Sequence, residues 1–201
     1  MKKYLQYLFA TTIGLCSLSS CSEENTEEEE YADWQSRNEL FLASVATDSM
    51  KSSGSWERFK KYSLDQTTEG KVSDYVYVKK LDHSGTSTVM PNFTDSVRVI
   101  YQGRLLPSKS YAQGYPFDGT VSGEYSVRTA YTSRQLVGGM SDGYCTALQH
   151  MTVGDHWRIY VPSELGYGAS GTTKIPGYSV LIFEVTLLDV SPAGQVMKPW
   201  R

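Results

Sequence analysis

The usual constellations of covalent or metal-assisted catalysis are missing from this 201-residue chain. It holds no Gly-x-Ser-x-Gly elbow, no phosphate-cradling glycine loop, no His-Glu-x-x-His pair and no persuasive nucleophile beside a histidine. His83, His150 and His156 are scattered, without the paired spacing of metal ligands. What the chain offers is a set of rings with a few polar tips: Tyr101, Tyr115, Phe117, Asp118, Tyr131, Tyr144, Tyr167 and Phe183, separated by glycine-rich loops. Such a set makes either a plain core, the usual fate of aromatics, or a dry cup whose carboxylate and hydroxyls hold a ligand by hydrogen bonds.

Order and spacing carry more than composition. Val97-Arg98-Val99-Ile100-Tyr101-Gln102-Gly103-Arg104-Leu105-Leu106 comes first, then Phe117-Asp118-Gly119-Thr120, then Ala147 to Asp155 (ALQHMTVGD). Val161-Pro162-Ser163-Glu164-Leu165-Gly166-Tyr167-Gly168 follows, then Ile175-Pro176 and Leu181-Ile182-Phe183-Glu184-Val185. In this order these blocks resemble the FKBP-type peptidyl-prolyl isomerases of bacteria, across about half of the chain. The resemblance implies an α+β fold: a curved antiparallel β-sheet wrapped around one short helix, here with an N-terminal helical extension.

It also implies a site. Tyr101, Asp118 and Tyr167 match the family's polar residues of the pocket. Phe117, Ile175 and Phe183 match its apolar walls. Gly143-Tyr144 stands as far before Met151 as the family's Gly-Trp pair stands before its methionine, so Tyr144 takes the place of the tryptophan at the pocket floor. Ser141 falls where the family has an isoleucine whose backbone N–H meets the ligand. Tyr131 is the candidate for the remaining aromatic, in a segment from Val121 to Val137 that departs from the family. The activity implied is rotation about X-Pro bonds, and neither cofactor nor metal is implied. Amide resonance sets a barrier of about 18–20 kcal/mol and uncatalysed times of about 10–100 s. Twisting the bond makes it less polar, so an apolar cup favours the twisted state without proton transfer.

Three departures bear on that site. Tyrosine for tryptophan adds a hydroxyl that needs a partner or water. Gly177 replaces a second proline after Ile-Pro and is expected to loosen the loop. The insert Pro107 to Pro116 is expected beside the pocket mouth.

The elements that position these residues follow from hydrophobic period. Val72, Tyr75–Leu81, Ser96–Leu106, His156–Val161 and Ser179–Val190 are rich in Val, Ile, Tyr and Phe and read as strands. Tyr144–Met151 reads as a helix, with Tyr144, Leu148 and Met151 on one face. Between Tyr31 and Leu64 the spacing of Trp34, Leu40, Phe41, Val45 and Met50 predicts a helix. After a Ser52-Ser53-Gly54-Ser55 break, Trp56, Phe59 and Lys60 predict a second, shorter one. An aromatic stripe of this kind serves core packing or self-association.

The divisions expected are a leader at 1–20, an acidic tether at 21–30, a helical extension at 31–70 and the isomerase domain at 71–201, with its motif core at 95–190. Lys2 and Lys3 followed by the apolar stretch Leu5 to Leu18 read as an export signal. Leu18-Ser19-Ser20-Cys21 resembles the bacterial lipobox, so Cys21 is expected to carry lipid and tether the protein to the cell envelope at the outer membrane, on its periplasmic face or on the cell surface. The net charge of −3 is concentrated: without Glu23, Glu24 and Glu27 to Glu30, 16 acidic residues face 17 basic ones once Lys2 and Lys3 leave with the leader. No basic face suited to nucleic acid stands out. Cys145 is the one cysteine left beyond Cys21 and reads as a buried small residue. Three functions stay open: an isomerase that helps exported proteins fold, a proline-peptide binder with weak turnover, and an assembly lipoprotein.

Overall fold

The computed structural model describes residues 30–51 and 54–200. The export signal, Cys21 and all of the acidic tether except Glu30 lie outside the described residues. The chain forms helix α1 (Trp34–Lys51), strands β1 (Trp56–Lys60), β2 (Tyr75–His83), β3 (Ser96–Arg104), β4 (Pro116–Gly119) and β5 (Ser133–Leu136), helix α2 (Asp142–Leu148), and strands β6 (Asp155–Val161) and β7 (Leu181–Ser191). All seven strands join one antiparallel sheet in the order β1-β2-β6-β7-β3-β4, with β5 also paired to β3. Register shifts in β2, β3 and their partners bend it, as bulges do. The sheet curls around α2, whose residues Gly143 to Leu148 are all buried. The α+β architecture with one short inner helix and an N-terminal helix is therefore the one expected.

Strands β2, β3, β6 and β7 fall within a residue or two of the expected spans, apart from Val72, which starts a short 3-10 turn. The inner helix starts two residues before Tyr144 and ends at Leu148, and Gln149 and His150 form a turn that delivers Met151 to the core.

The second N-terminal helix is not there. Trp56–Lys60 is an edge strand, paired over five residues with β2. A segment this short cannot nucleate a helix on its own, whereas pairing satisfies its backbone at once. Its spacing misleads for a definite reason. Residues three apart share a helix face but lie on opposite faces of a strand. Trp56 stacks on Tyr160 at 5.5 Å, and Phe59 lies parallel to Trp157 at 6.1 Å. Tyr160 and Trp157 are themselves three apart on β6, so the two aromatic pairs sit on the two faces of the sheet. The 31–70 stretch is thus one helix plus a strand of the sheet itself. The face of α1 also differs: Trp34, Asn38, Leu42, Val45 and Ala46 are buried, while Leu40 and Met50 are exposed. Among the described residues no helix is long and apolar enough to cross a membrane.

His150, just past α2, stacks on Phe59 at 3.8 Å and on Tyr62 at 5.3 Å, with Tyr62 Oη 3.0 Å from its Nε2. Burial holds its pKa below the ordinary imidazole value of 6.5. The unfolded chain therefore binds a proton at His150 before the folded chain does. Its contribution to stability is complete above pH 6.5 and is lost as pH falls below that value towards the folded pKa. Urea denaturation should show a lower midpoint at about pH 5.5 than at about pH 7.5, and His150→Phe, which keeps the stack, should reduce that difference. The same pH dependence in both proteins would remove His150 as its source. Cys145 is buried and unpaired, and burial raises its thiol pKa, as fits a packing residue.

Candidate functional site

Strands β3, β4, β5 and β7 and helix α2 deliver their side chains to one open cavity of about 530 Å³. Tyr101 comes from β3, Phe117 and Asp118 from β4, and Phe183 from β7. Tyr144 comes from α2, with Ser141 at that helix's N-cap. Tyr167 and Ile175 come from the segment between Leu165 and β7. Eight of the nine residues expected at a pocket thus line the same cavity. Their rings make a cup: Tyr144 lies 4.7 Å from Phe183 and 6.4 Å from Tyr101, both tilted, and Phe117 meets Phe183 edge-on at 5.5 Å.

Gly103 explains how the wall closes. It pairs with Phe183 across β3 and β7, and a Cβ there would lie 2.6 Å from the Phe117 ring and 2.9 Å from the Phe183 ring. Only glycine lets the two rings meet over the strand.

The polar groups fall into two sets. Tyr101 Oη donates to Asp118 Oδ2 at 2.8 Å, while Asp118 Oδ1 accepts the N–H of Gly119 at 2.9 Å. Burial first, and then the Asp118 carboxylate, push the Tyr101 phenol above its ordinary value of 10, so it stays protonated and donating at neutral pH. The second set faces outward. Tyr167 is 45% exposed, and its hydroxyl makes no hydrogen bond among the described residues. Ser141 accepts the Cys145 N–H at 2.8 Å, while no acceptor among the described residues takes its own N–H.

Tyr131 does not join them. It is 67% exposed, and its hydroxyl donates at 3.0 Å to Gly119 O, outside the lining. Residues 121–132 form no helix or strand, and this side chain is carried past the cup to brace the turn after Asp118. The Pro107 to Pro116 insert also stays out of the lining and docks on Glu30, just ahead of α1, and on the first turn of the helix: Glu30 accepts the Ser110 N–H and the Ser108 and Ser110 hydroxyls, and Arg37 donates to Pro107 O. Gly177 does not loosen its loop. A Cβ there would lie 1.9 Å from Ala169 O, so the glycine permits a tight backbone approach.

Ser133, Gln135, Met140, Thr172 and Lys174 also line the cavity and escaped the sequence reading. In β5 the alternation is inverted, with Gln135 buried and Leu136 53% exposed, so hydrophobic period points the wrong way. The signal available was the shared strand face of Ser133 and Gln135.

Two polar atoms of the lining residues are sealed from solvent without a partner among the described residues: Tyr144 Oη and Gln135 Oε1. Burial raises the Tyr144 pKa well above the phenol range. An unsatisfied buried hydroxyl costs about 1–3 kcal/mol, so Tyr144→Phe should stabilise the protein by about 1 kcal/mol in urea denaturation. It should also raise the affinity of the drier floor for a proline ring. A loss of stability would mean that the hydroxyl is satisfied.

Comparison with known proteins bears on the whole arrangement. The family pattern described as FKBP-type peptidyl-prolyl cis-trans isomerase matches residues 87–188. The FKBP-type 22 kDa peptidyl-prolyl cis-trans isomerase of Escherichia coli is 38% identical over 102 residues, which cover 50% of this chain and 44% of the relative. The FKBP-type peptidyl-prolyl cis-trans isomerase FkpA of Aeromonas hydrophila is 30% identical over 154 residues, 76% of this chain and 52% of the relative. The chain therefore spans about half the length of these curated relatives. A crystal structure of a peptidyl-prolyl cis-trans isomerase from Pseudomonas syringae superimposes with a TM-score of 0.51 at 25% identity, covering 77% of this chain and 96% of that one.

Proposed function

The chain belongs to the FKBP-type peptidyl-prolyl cis-trans isomerase family, and from that premise we propose that its cup binds proline-containing polypeptides and speeds rotation about their X-Pro bonds. The observation that carries this reading is the convergence of Tyr101, Asp118, Tyr144 and Tyr167 on one open, aromatic-walled cavity.

The chemistry asked of the cup is small. The proline ring rests on Tyr144 between Phe117, Ile175 and Phe183, out of water. The planar amide, which water stabilises best, loses that advantage, and the less polar twisted state gains it. The Tyr167 hydroxyl and the Ser141 N–H donate to substrate carbonyls and fix the chain on either side of the bond. Tyr101 and Asp118 hold each other, which keeps the Tyr101 ring against the substrate and turns the carboxylate to the rim. No proton leaves the protein in this scheme. A protease-coupled assay on a proline peptide should show cis-to-trans conversion above the spontaneous rate, and purified protein that adds nothing to that rate would sink the proposal.

A second reading has its own support. The orphaned Tyr144 hydroxyl and the buried Gln135 amide make the floor more polar than an all-apolar cup, which favours binding over turnover. Peptide binding by calorimetry without acceleration would select it.

We further propose that the clients are exported proteins and that lipid on Cys21 holds the domain at the envelope. The support is the run Leu18-Ser19-Ser20-Cys21 after an apolar, positively started leader. The expressed full chain should partition into detergent, and Cys21→Ser should move it to the aqueous phase. Aqueous partition of the unaltered protein would contradict the anchor.

A further inference from the structure

Helix α1 carries a polar residue where its buried face should be apolar: Asn38 is 1% exposed. Its partners account for it. Asn38 Oδ1 accepts the N–H of Val180 at 2.8 Å, and its Nδ2 donates to Trp34 O at 2.7 Å. One turn earlier, Trp34 Nε1 donates to Ser179 Oγ at 2.8 Å, and that hydroxyl donates at 2.6 Å to Pro176 O. The Arg37 guanidinium covers the Trp34 ring at 5.1 Å and fixes it from the solvent side. Two buried hydrogen bonds from one helix therefore end on two consecutive residues about 140 positions away along the chain.

The backbone they grip is strained. Tyr178, immediately before Ser179, has φ 62°, a left-handed conformation unfavourable for a bulky side chain and kept only where the surroundings enforce it. The segment is also folded tightly on itself. Tyr178 donates to Gly168 O at 2.9 Å and Thr172 to Ile175 O at 2.7 Å, and Gly177 lies against Ala169 with no space for a side chain. Tyr167 and Ile175, which form one wall of the cup, belong to this folded unit.

We propose that Trp34 and Asn38 are positioning residues for the cup: α1 clamps the strained turn at Tyr178 and thereby sets Tyr167 and Ile175 at the distance from Tyr144 and Phe117 that fits a proline-containing chain. The proposal rests on the cup being the peptide site, and it makes α1 a part of that site instead of a mere extension.

The test is amide hydrogen exchange on the full chain with Asn38→Leu, which keeps the volume and removes both bonds, paired with peptide kinetics. Losing a buried hydrogen bond of ordinary strength should speed exchange at Thr172 and Tyr178 by about tenfold and leave the Cys145 amide of α2 within about twofold. KM for a proline peptide should rise by about fivefold with kcat within about twofold, because the wall is displaced while the floor is not. Trp34→Phe, which deletes the indole N–H together with the pyrrole ring but keeps one aromatic ring on the helix, should loosen the same two amides while sparing that of Cys145, and it serves if Asn38→Leu does not fold. Exchange unchanged at Thr172 and Tyr178, or raised equally in α2, would overturn the clamp. So would loosened exchange with KM unaltered. A wild-type protein with no turnover would instead overturn the isomerase reading. The clamp would then still be judged by exchange and by calorimetric peptide affinity, which should fall by the same factor.

Discussion

Asp118→Leu is expected to lower kcat/KM for a proline peptide by about ten- to a hundredfold while leaving the sheet intact. The carboxylate accepts from Tyr101 Oη and from the Gly119 N–H. Hydrogen bonds to a charged group contribute about 1.5–3 kcal/mol, and each 1.4 kcal/mol is a factor of ten. Leucine supplies similar bulk but no acceptor. The Tyr101 phenol, which burial keeps protonated, then has to seek another acceptor, and its ring is freed to rotate away from the substrate. The loss should appear in a protease-coupled assay with an unchanged far-ultraviolet circular dichroism spectrum. A loss below about threefold would show that the Tyr101–Asp118 pair does not organise the cup.

Phe183→Ala is expected to be the most damaging change to the site. The ring is 7% exposed, meets Phe117 edge-on and Tyr144 at 4.7 Å, and lies over Gly103. Truncating a buried phenylalanine costs about 3–5 kcal/mol, and the open cavity on one side places this position at the lower end, about 3 kcal/mol by urea denaturation. The wall it leaves is water-accessible, so the cup loses the dryness that favours the twisted amide. Turnover should fall by more than about a hundredfold at a temperature where the variant is still folded. Retained turnover in the folded variant would place the reacting bond elsewhere. The same packing predicts why β3 needs glycine at position 103, since a methyl group there would drive Phe117 and Phe183 into the cup.

How much of this was legible before the structure depends on which physical signal each element carries. Strand β3 is buried on both faces over most of its length, and β6 and β7 keep at least one face buried over most of theirs, so their Val, Ile and Phe content announces them. Strand β1 carries a three-residue aromatic spacing that reads as a helix, because it serves both faces of the sheet. Strand β5 is polar inward and apolar outward, so Gln135 and Ser133 were hidden by the same rule that exposes ordinary strands. Asn38 was invisible for a related reason: its buried partners are a backbone N–H and a carbonyl, which no side-chain pattern encodes. Six of the eight cup residues expected from the sequence lie in the blocks that resemble the family, and Ser141 and Tyr144 stand just before the third block, Tyr144 at the family's distance from Met151. Tyr131, the one that misses the lining, lies in the segment where that spacing breaks down.

In the scheme proposed above, the cup itself catalyses rotation about an X-Pro bond. The direct measurement is two-dimensional exchange NMR on a proline peptide at equilibrium, where cross-peaks between cis and trans forms report rotation without a coupling protease. Catalytic amounts of the wild-type protein should bring the exchange from the uncatalysed scale of about 10–100 s to below about 1 s, and Phe183→Ala should abolish the effect. Peptide resonances that broaden on binding while the cis–trans cross-peaks stay absent would contradict the account.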